Sequence, residues 1–242
     1  MQEIVINKLS KHDFRTSEAY KSLRTNVQFA GEEVKIIAIT SCTPNEGKTN
    51  VSFNLAISMA EANKKVLFID ADMRKSVVVG RYKLSKAGKG LTHYLSGQCT
   101  FDEALCLTQI PKLHMVVAGP VPPNPAELLE GKRFREMLKS VREVYDYVII
   151  DTPPLGSVID AAIIAKQSDG AIMVVSADEI SYKFAQKVKN QLEISGSRIL
   201  GAILNKVDVR AAGYYGRYYG KYYGKYFGKY YGSYYGKEED KL

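Results

Sequence analysis

The chain has 242 residues, 45% hydrophobic and 25% charged, which suits one soluble α/β domain with a sizeable core and is short for two. Its net charge of +8, from 34 basic and 26 acidic side chains, fits an anionic partner such as nucleotide, anionic lipid or nucleic acid without choosing among them. Three cysteines (Cys42, Cys99 and Cys106), irregularly spaced with no CxxC pair, argue against a disulfide framework and for a reducing cytosol.

The opening residues MQEIVINKLSKHDF mix charged and apolar side chains and lack the apolar core of a signal peptide. No later apolar run reaches the roughly 18 residues of a bilayer span. A helix is expected over 16–29, then a strand at VKIIAIT, 34–40. The segment Cys42-Thr-Pro-Asn-Glu-Gly47-Lys48-Thr49 leaves that strand and opens a helix over 48–62. It matches the P-loop pattern GxxxxGK followed by Ser or Thr, except that Cys42 replaces the first Gly. Loop and helix-end N–H groups at Thr43, Pro44, Asn45, Glu46, Gly47, Lys48, Thr49 and Asn50 form the expected phosphate cradle, less the missing N–H of proline. Lys48 is expected to reach the β/γ-phosphates and Thr49 to ligate Mg²⁺.

Further along, KVLFID (65–70) reads as a strand that exits into Asp70-Ala-Asp72-Met-Arg74. Region 76–110 is less periodic and is expected to hold short helices and a connecting loop. A strand at LHMVVAG, 113–119, precedes Pro122-Pro-Asn-Pro-Ala-Glu-Leu-Leu129 and a helix over 126–144. YVIID, 147–151, ends on Asp151-Thr-Pro-Pro. A helix over 158–167, a strand at 171–175, a helix over 181–195 and a strand at 199–204 complete the series. Short Val- and Ile-rich runs alternating with amphipathic stretches predict a mostly parallel α/β sheet with helices on both faces. Ligands of such sheets bind beyond the carboxyl ends of the strands, so Asp70, Asp72 and Asp151 are expected to converge on the P-loop.

After Asp208 the composition changes. From Tyr214 the chain reads YYGR-YYGK-YYGK-YFGK-YYGS-YYGK, a four-residue repeat with glycine in every unit. Such a segment has no apolar face for a core and reads as a disordered, exposed tail. The domain boundaries expected are 1–210 for the folded part and 211–242 for the tail.

These motifs, in this order, resemble the bacterial tyrosine kinases (BY-kinases) of polysaccharide synthesis operons. TPNEGKT resembles the family's Walker A, IDADMR its Walker A′ and IIDTPP its Walker B; the Pro122–Leu129 stretch and the terminal tyrosines add to the likeness. The resemblance covers nearly the whole chain and implies a P-loop ATPase fold, ATP and Mg²⁺ as cofactors, and autophosphorylation of the tail in trans. The expected acceptors are Tyr214, Tyr215, Tyr218, Tyr219, Tyr222, Tyr223, Tyr226, Tyr230, Tyr231, Tyr234 and Tyr235. It further implies regulation of capsular or exopolysaccharide synthesis, a cytoplasmic protein recruited to the inner face of the membrane by a membrane-anchored polysaccharide co-polymerase activator, and a cognate tyrosine phosphatase. A homo-oligomeric ring is implied through Glu18-x-x-Lys21-x-x-Arg24, in which Lys21 replaces the family's first arginine and lacks its bidentate fork.

In the expected reaction Asp72 and Asp151 help Thr49 with Mg²⁺, Asp70 is the general base for the tyrosine hydroxyl, and Arg74 either stabilises transferred charge or forms a surface ion pair. Asn205-Lys206-Val-Asp208 resembles the NKxD guanine-reading motif, but in this fold family that strand end usually serves adenine, so Asn205 is assigned to ATP. The alternatives are a septum-placing or chromosome-partitioning ATPase without kinase activity, whose P-loops carry a lysine where this chain has Thr43, and a basic aromatic tail stacking on single-stranded nucleic acid. No nucleic-acid partner is expected. His12, His93 and His114 are too scattered for a metal site.

Overall fold

In a computed structural model, residues 1–9, 12–85 and 88–207 are described. The tyrosine repeat, with all eleven candidate acceptors, lies outside the described residues, as does Asp208. Met1–Asn205 forms one compact unit.

Its centre is an eight-stranded sheet in the order β1-β4-β5-β3-β6-β2-β7-β8. The strands are β1 (Gln2–Ile4), β2 (Ile36–Ser41), β3 (Val66–Asp70), β4 (Cys106–Thr108), β5 (Leu113–Val116), β6 (Tyr147–Asp151), β7 (Gly170–Ser176) and β8 (Ile199–Asn205). All neighbours pair in parallel except β4 with β5. Every residue of β2 and β3 is buried, as unbroken Ile, Val and Leu runs covered on both faces require. One face packs under α1 (Phe14–Gln28) and α2 (Lys48–Glu61), around Phe53, Phe68 and Tyr82. The other lies under α6 (Pro125–Glu130), α7 (Lys132–Val144), α8 (Asp160–Lys166) and α9 (Tyr182–Ile194), around Phe134, Leu138 and Leu192. Asp13 caps α1 by accepting from Thr16 N–H at 2.8 Å, and Ser181 caps α9 through Phe184 N–H.

The chain departs from the sequence-based expectation in four places. The helix predicted over 126–144 is two helices, because Gly131 takes an extended conformation (φ −65°, ψ 161°) that closes α6 and opens α7. The strand predicted over 113–119 ends at Val116. Val117 and Ala118 turn their carbonyls to the N–H groups of Leu91 and Thr92 instead, at 2.7 and 2.9 Å. Region 76–110 holds α3 (Val78–Arg81), α4 (Leu91–Leu95) and α5 (Phe101–Ala104), together with the unanticipated β4. The N-terminus adds β1, which pairs with β4 at one edge of the sheet. No helix among the described residues is long and apolar enough to cross a membrane.

Candidate functional site

The order β3-β6-β2 sets the two strand ends that carry acids beside the one that leads into the P-loop. Asp70 and Asp151 are direct partners in the β3–β6 register, and Asp151 also pairs with Ile39 of β2, just before the P-loop. Three residues scattered over the chain therefore converge because of strand order, with Asp72 two positions beyond the end of β3.

Side chains from distant elements hold the loop itself. Asn45 and Gly47 have positive φ (69° and 88°), and a Cβ on Gly47 would stand 2.3 Å from Asn205 Nδ2, so only glycine fits there. Asn205, the last residue of β8, donates from Nδ2 to the Glu46 carbonyl at 2.8 Å. The Glu46 carboxylate is 1% exposed and turned into the protein, where it accepts from the Thr43 N–H and hydroxyl and from Ser176 N–H at the end of β7. That orientation keeps the negative charge away from the outer face of the loop. Ser41 Oγ donates to the Thr43 carbonyl at 2.8 Å. The close fit extends to Gly156, where a Cβ would meet the Cys42 carbonyl at 2.2 Å.

Lys48 opens α2 and reaches across the strand ends. Its Nζ lies 3.2 Å from Asp72 Oδ2, 4.0 Å from Asp151 Oδ2 and 3.3 Å from Thr49 Oγ1. Ser52, one turn further along α2, donates to Asp151 Oδ1 at 3.2 Å. Asp151 Oδ2 is buried and has no hydrogen-bond partner, and burial raises the pKa of this carboxyl. A buried carboxylate oxygen without a donor, beside the Thr49 hydroxyl, suits a hard divalent cation such as Mg²⁺, which takes few protein oxygens and otherwise binds water and phosphate. Among the described residues no three His, Cys, Asp or Glu side chains form an all-protein metal cage.

Asp70 is fully buried. Its Oδ1 accepts from Asp72 N–H at 3.3 Å and its Oδ2 from the Ser76 hydroxyl. Burial and then the neighbouring Asp151 charge push its pKa up to about 7. Arg74 forks onto Asp160, Nε to Oδ2 at 2.8 Å and one terminal nitrogen to Oδ1 at 2.9 Å. The ion-pair expectation for Arg74 therefore needs correcting in one respect: its partner is a wholly buried carboxylate at the start of α8 and not a surface acid.

On α1, Lys21 Nζ pairs with Glu18 at 2.7 Å, while Arg24 donates to the Ser58 carbonyl at 2.7 Å and so ties α1 to α2. Sequence reasoning missed Ser52, Ser76 and Asp160. Ser52 carries a faint signal, since its position after Lys48 puts it on the same helix face. Nothing in linear order joins Asp160 to Arg74.

Cys42, in place of the first P-loop glycine, is buried, and burial followed by the Glu46 charge pushes its thiol up to about 12. A thiol so protonated is a poor nucleophile. In the folded protein at pH 8, iodoacetamide is expected to label the partly exposed Cys99 well before Cys42, as read by peptide mass spectrometry. Equal labelling rates would mean that the loop opens to solvent.

A family model described as an AAA domain matches residues 34–198. The tyrosine-protein kinase CpsD of Streptococcus agalactiae serotype III (strain NEM316) is 48% identical over 212 residues, 88% of this chain and 91% of that protein. The solved kinase domain of Escherichia coli tyrosine kinase ETK superposes with a TM-score of 0.78 at 37% identity, covering 81% of this chain and 78% of that one. The septum site-determining protein MinD of Pyrococcus horikoshii OT3, solved with Mg-ADP, gives a TM-score of 0.62 at 26% identity, covering 74% and 72%.

Proposed function

This chain belongs to the bacterial tyrosine-protein kinases, and on that premise we propose that it transfers the γ-phosphoryl group of MgATP to the tyrosines of its own C-terminal repeat, one subunit acting on another's tail. The observation that carries the reading is Lys48 set between Asp72 and Asp151, with a buried Asp70 alongside, in a chain that continues from Asn205 into eleven repeat tyrosines.

In this reading the loop amides of Thr43–Asn50 and Lys48 hold the phosphates. Thr49, with Asp72 and Asp151, would hold Mg²⁺, which supplies charge neutralisation on the phosphate oxygens. Asp70 accepts the tyrosine proton. Asn205 serves the nucleotide from the far side by fixing the Glu46 carbonyl, and hence the loop, in addition to any contact with adenine. Residues 211–242 act as substrate and the preceding domain as enzyme.

The same proposal includes control of capsular or exopolysaccharide synthesis, activation by a membrane-anchored co-polymerase that brings the kinase to the inner membrane face, and reversal by a tyrosine phosphatase. Ring assembly would exchange the Glu18–Lys21 pair within α1 for pairs between subunits.

Mixing two inactive-in-isolation partners tests the central point. A chain lacking residues 212–242 has an active site and no tail, and a full-length Lys48→Met chain has a tail and no phosphate clamp. With labelled ATP, label is expected in the tail peptides of the Lys48→Met chain. Release of inorganic phosphate with no tail label would favour a positioning ATPase instead.

A further inference from the structure

A kinase must keep water, its most abundant competitor, from the phosphoryl group. Asp70, read above as the base, has both carboxylate oxygens occupied: Oδ1 by Asp72 N–H and Oδ2 by Ser76 Oγ. Asp70 itself is fully buried, whereas Ser76 is exposed. The Ser76 hydroxyl thus stands between solvent and the oxygen that would accept a proton. As a neutral alcohol donating to a carboxylate, it occupies the position that an acceptor tyrosine hydroxyl would take.

The segment that carries Ser76 is pinned at the two residues before it. Lys75 N–H donates to Asp72 Oδ1 at 3.0 Å, and Arg74 is locked in its fork with Asp160. With the backbone so held, the hydroxyl can leave Asp70 by rotating about a single side-chain bond. That exchange is easy for an acceptor with binding energy of its own and hard for a free water molecule, which competes with an intramolecular group at high effective concentration.

We infer that Ser76 is a specificity-determining positioning residue, which stands in for the acceptor hydroxyl at Asp70 and yields to tyrosine but not to water. The inference rests on the reading of Asp70 as general base. In the suppressed side reaction, the oxygen of water bonds to the γ-phosphorus, its proton passes to Asp70, and the bond to the β-phosphate oxygen breaks to release ADP and inorganic phosphate.

The test compares full-length chains carrying Ser76→Ala, Ser76→Gly and Ser76→Thr, and measures inorganic phosphate released against phosphotyrosine formed under MgATP. Without the hydroxyl, the ratio is expected to rise about fivefold to tenfold, the factor given by one lost competing hydrogen bond. Ser76→Thr, which keeps the hydroxyl, should return the wild-type ratio. A role limited to loop stability would lower both products together and leave the ratio alone. An unchanged ratio in both hydroxyl-free variants overturns the inference, and so does phosphoserine at position 76 in the wild-type protein, which would make Ser76 an acceptor. Asp70→Asn separates the two levels: if it retains both reactions the base assignment fails, and if it loses both while Ser76→Ala keeps the ratio, only the Ser76 inference fails.

Discussion

Replacing Lys48 by methionine is expected to abolish measurable tail phosphorylation, with kcat/KM lower by about a hundredfold to a thousandfold for one lost charge-stabilising donor. Methionine keeps most of the apolar stem and removes only the ammonium, so the loss reports charge. The substitution acts twice. It takes away the cation meant for the β/γ-phosphates, and it strips the counter-charge from Asp72 and Asp151, which face Lys48 at 3.2 and 4.0 Å and are nearly inaccessible. Leaving buried carboxylates without their cation destabilises a fold by on the order of 3 kcal/mol. The nucleotide-free variant should therefore melt earlier than the parent, and added Mg²⁺ should recover part of that difference by supplying positive charge. Radiolabelling and thermal melts with and without Mg²⁺ read both effects. A Lys48→Met chain that labels tails at the parental rate would sink the assignment of this loop as the phosphate clamp.

Asp70→Asn is expected to lower kcat by about a hundredfold to ten-thousandfold, the range for a positioned general base, while leaving ATP binding nearly intact. Asparagine has the same shape and keeps one acceptor oxygen, but it cannot take a proton. The opposite effect is expected on stability. Asp70 lies fully buried beside Asp151, with Asp72 close by, so a neutral side chain relieves repulsion among three carboxylates. A variant that is catalytically poor yet melts later than the parent would display the tension usual at active sites. Single-turnover phosphotransfer and a nucleotide-binding titration separate the two contributions. If transfer survives in Asp70→Asn, the proton goes elsewhere and Asp72 becomes the group to test.

Much of this architecture can be read from the amino-acid order, for identifiable reasons. Six strands announce themselves as Val-, Ile- and Leu-rich runs, which burial on both faces demands inside the sheet, as in Ile36–Ser41 and Val66–Asp70. The short strands Gln2–Ile4, at one edge, and Cys106–Thr108, beside it, do not, since three residues give no period and their pairing joins segments a hundred positions apart. Gly131 was legible as a residue but not as a break, because one glycine in a helical pattern is usually tolerated. In the site, Lys48 and Thr49 open the helix after β2, and Asp70, Asp72 and Asp151 stand at or just past strand ends, where motif and topology agree. What escaped is the support around them. The inward turn of Glu46 onto Ser176, the hold of Asn205 on the loop, the donation of Ser52 to Asp151 and the Arg74–Asp160 fork depend on which chain segments meet in space. Apart from the faint i,i+4 spacing of Ser52 after Lys48, sequence spacing carries no trace of those meetings.

The strand order also governs when the nucleotide site can exist during synthesis. β2, which launches the P-loop, touches no strand near it in sequence: Ile36 lies against Val148 and Ile37 against Gly170. A nascent chain emerges from the ribosome N-terminus first, and pairings of such long separation are slow to close. The P-loop segment must therefore wait, exposed and without its neighbours, until β6 and then β7 have been made. Asn205 arrives later still to hold the Glu46 carbonyl. Within this domain the phosphate cradle is made before the strands that hold it and takes shape after them, so the cradle is complete only once nearly the whole domain has left the ribosome.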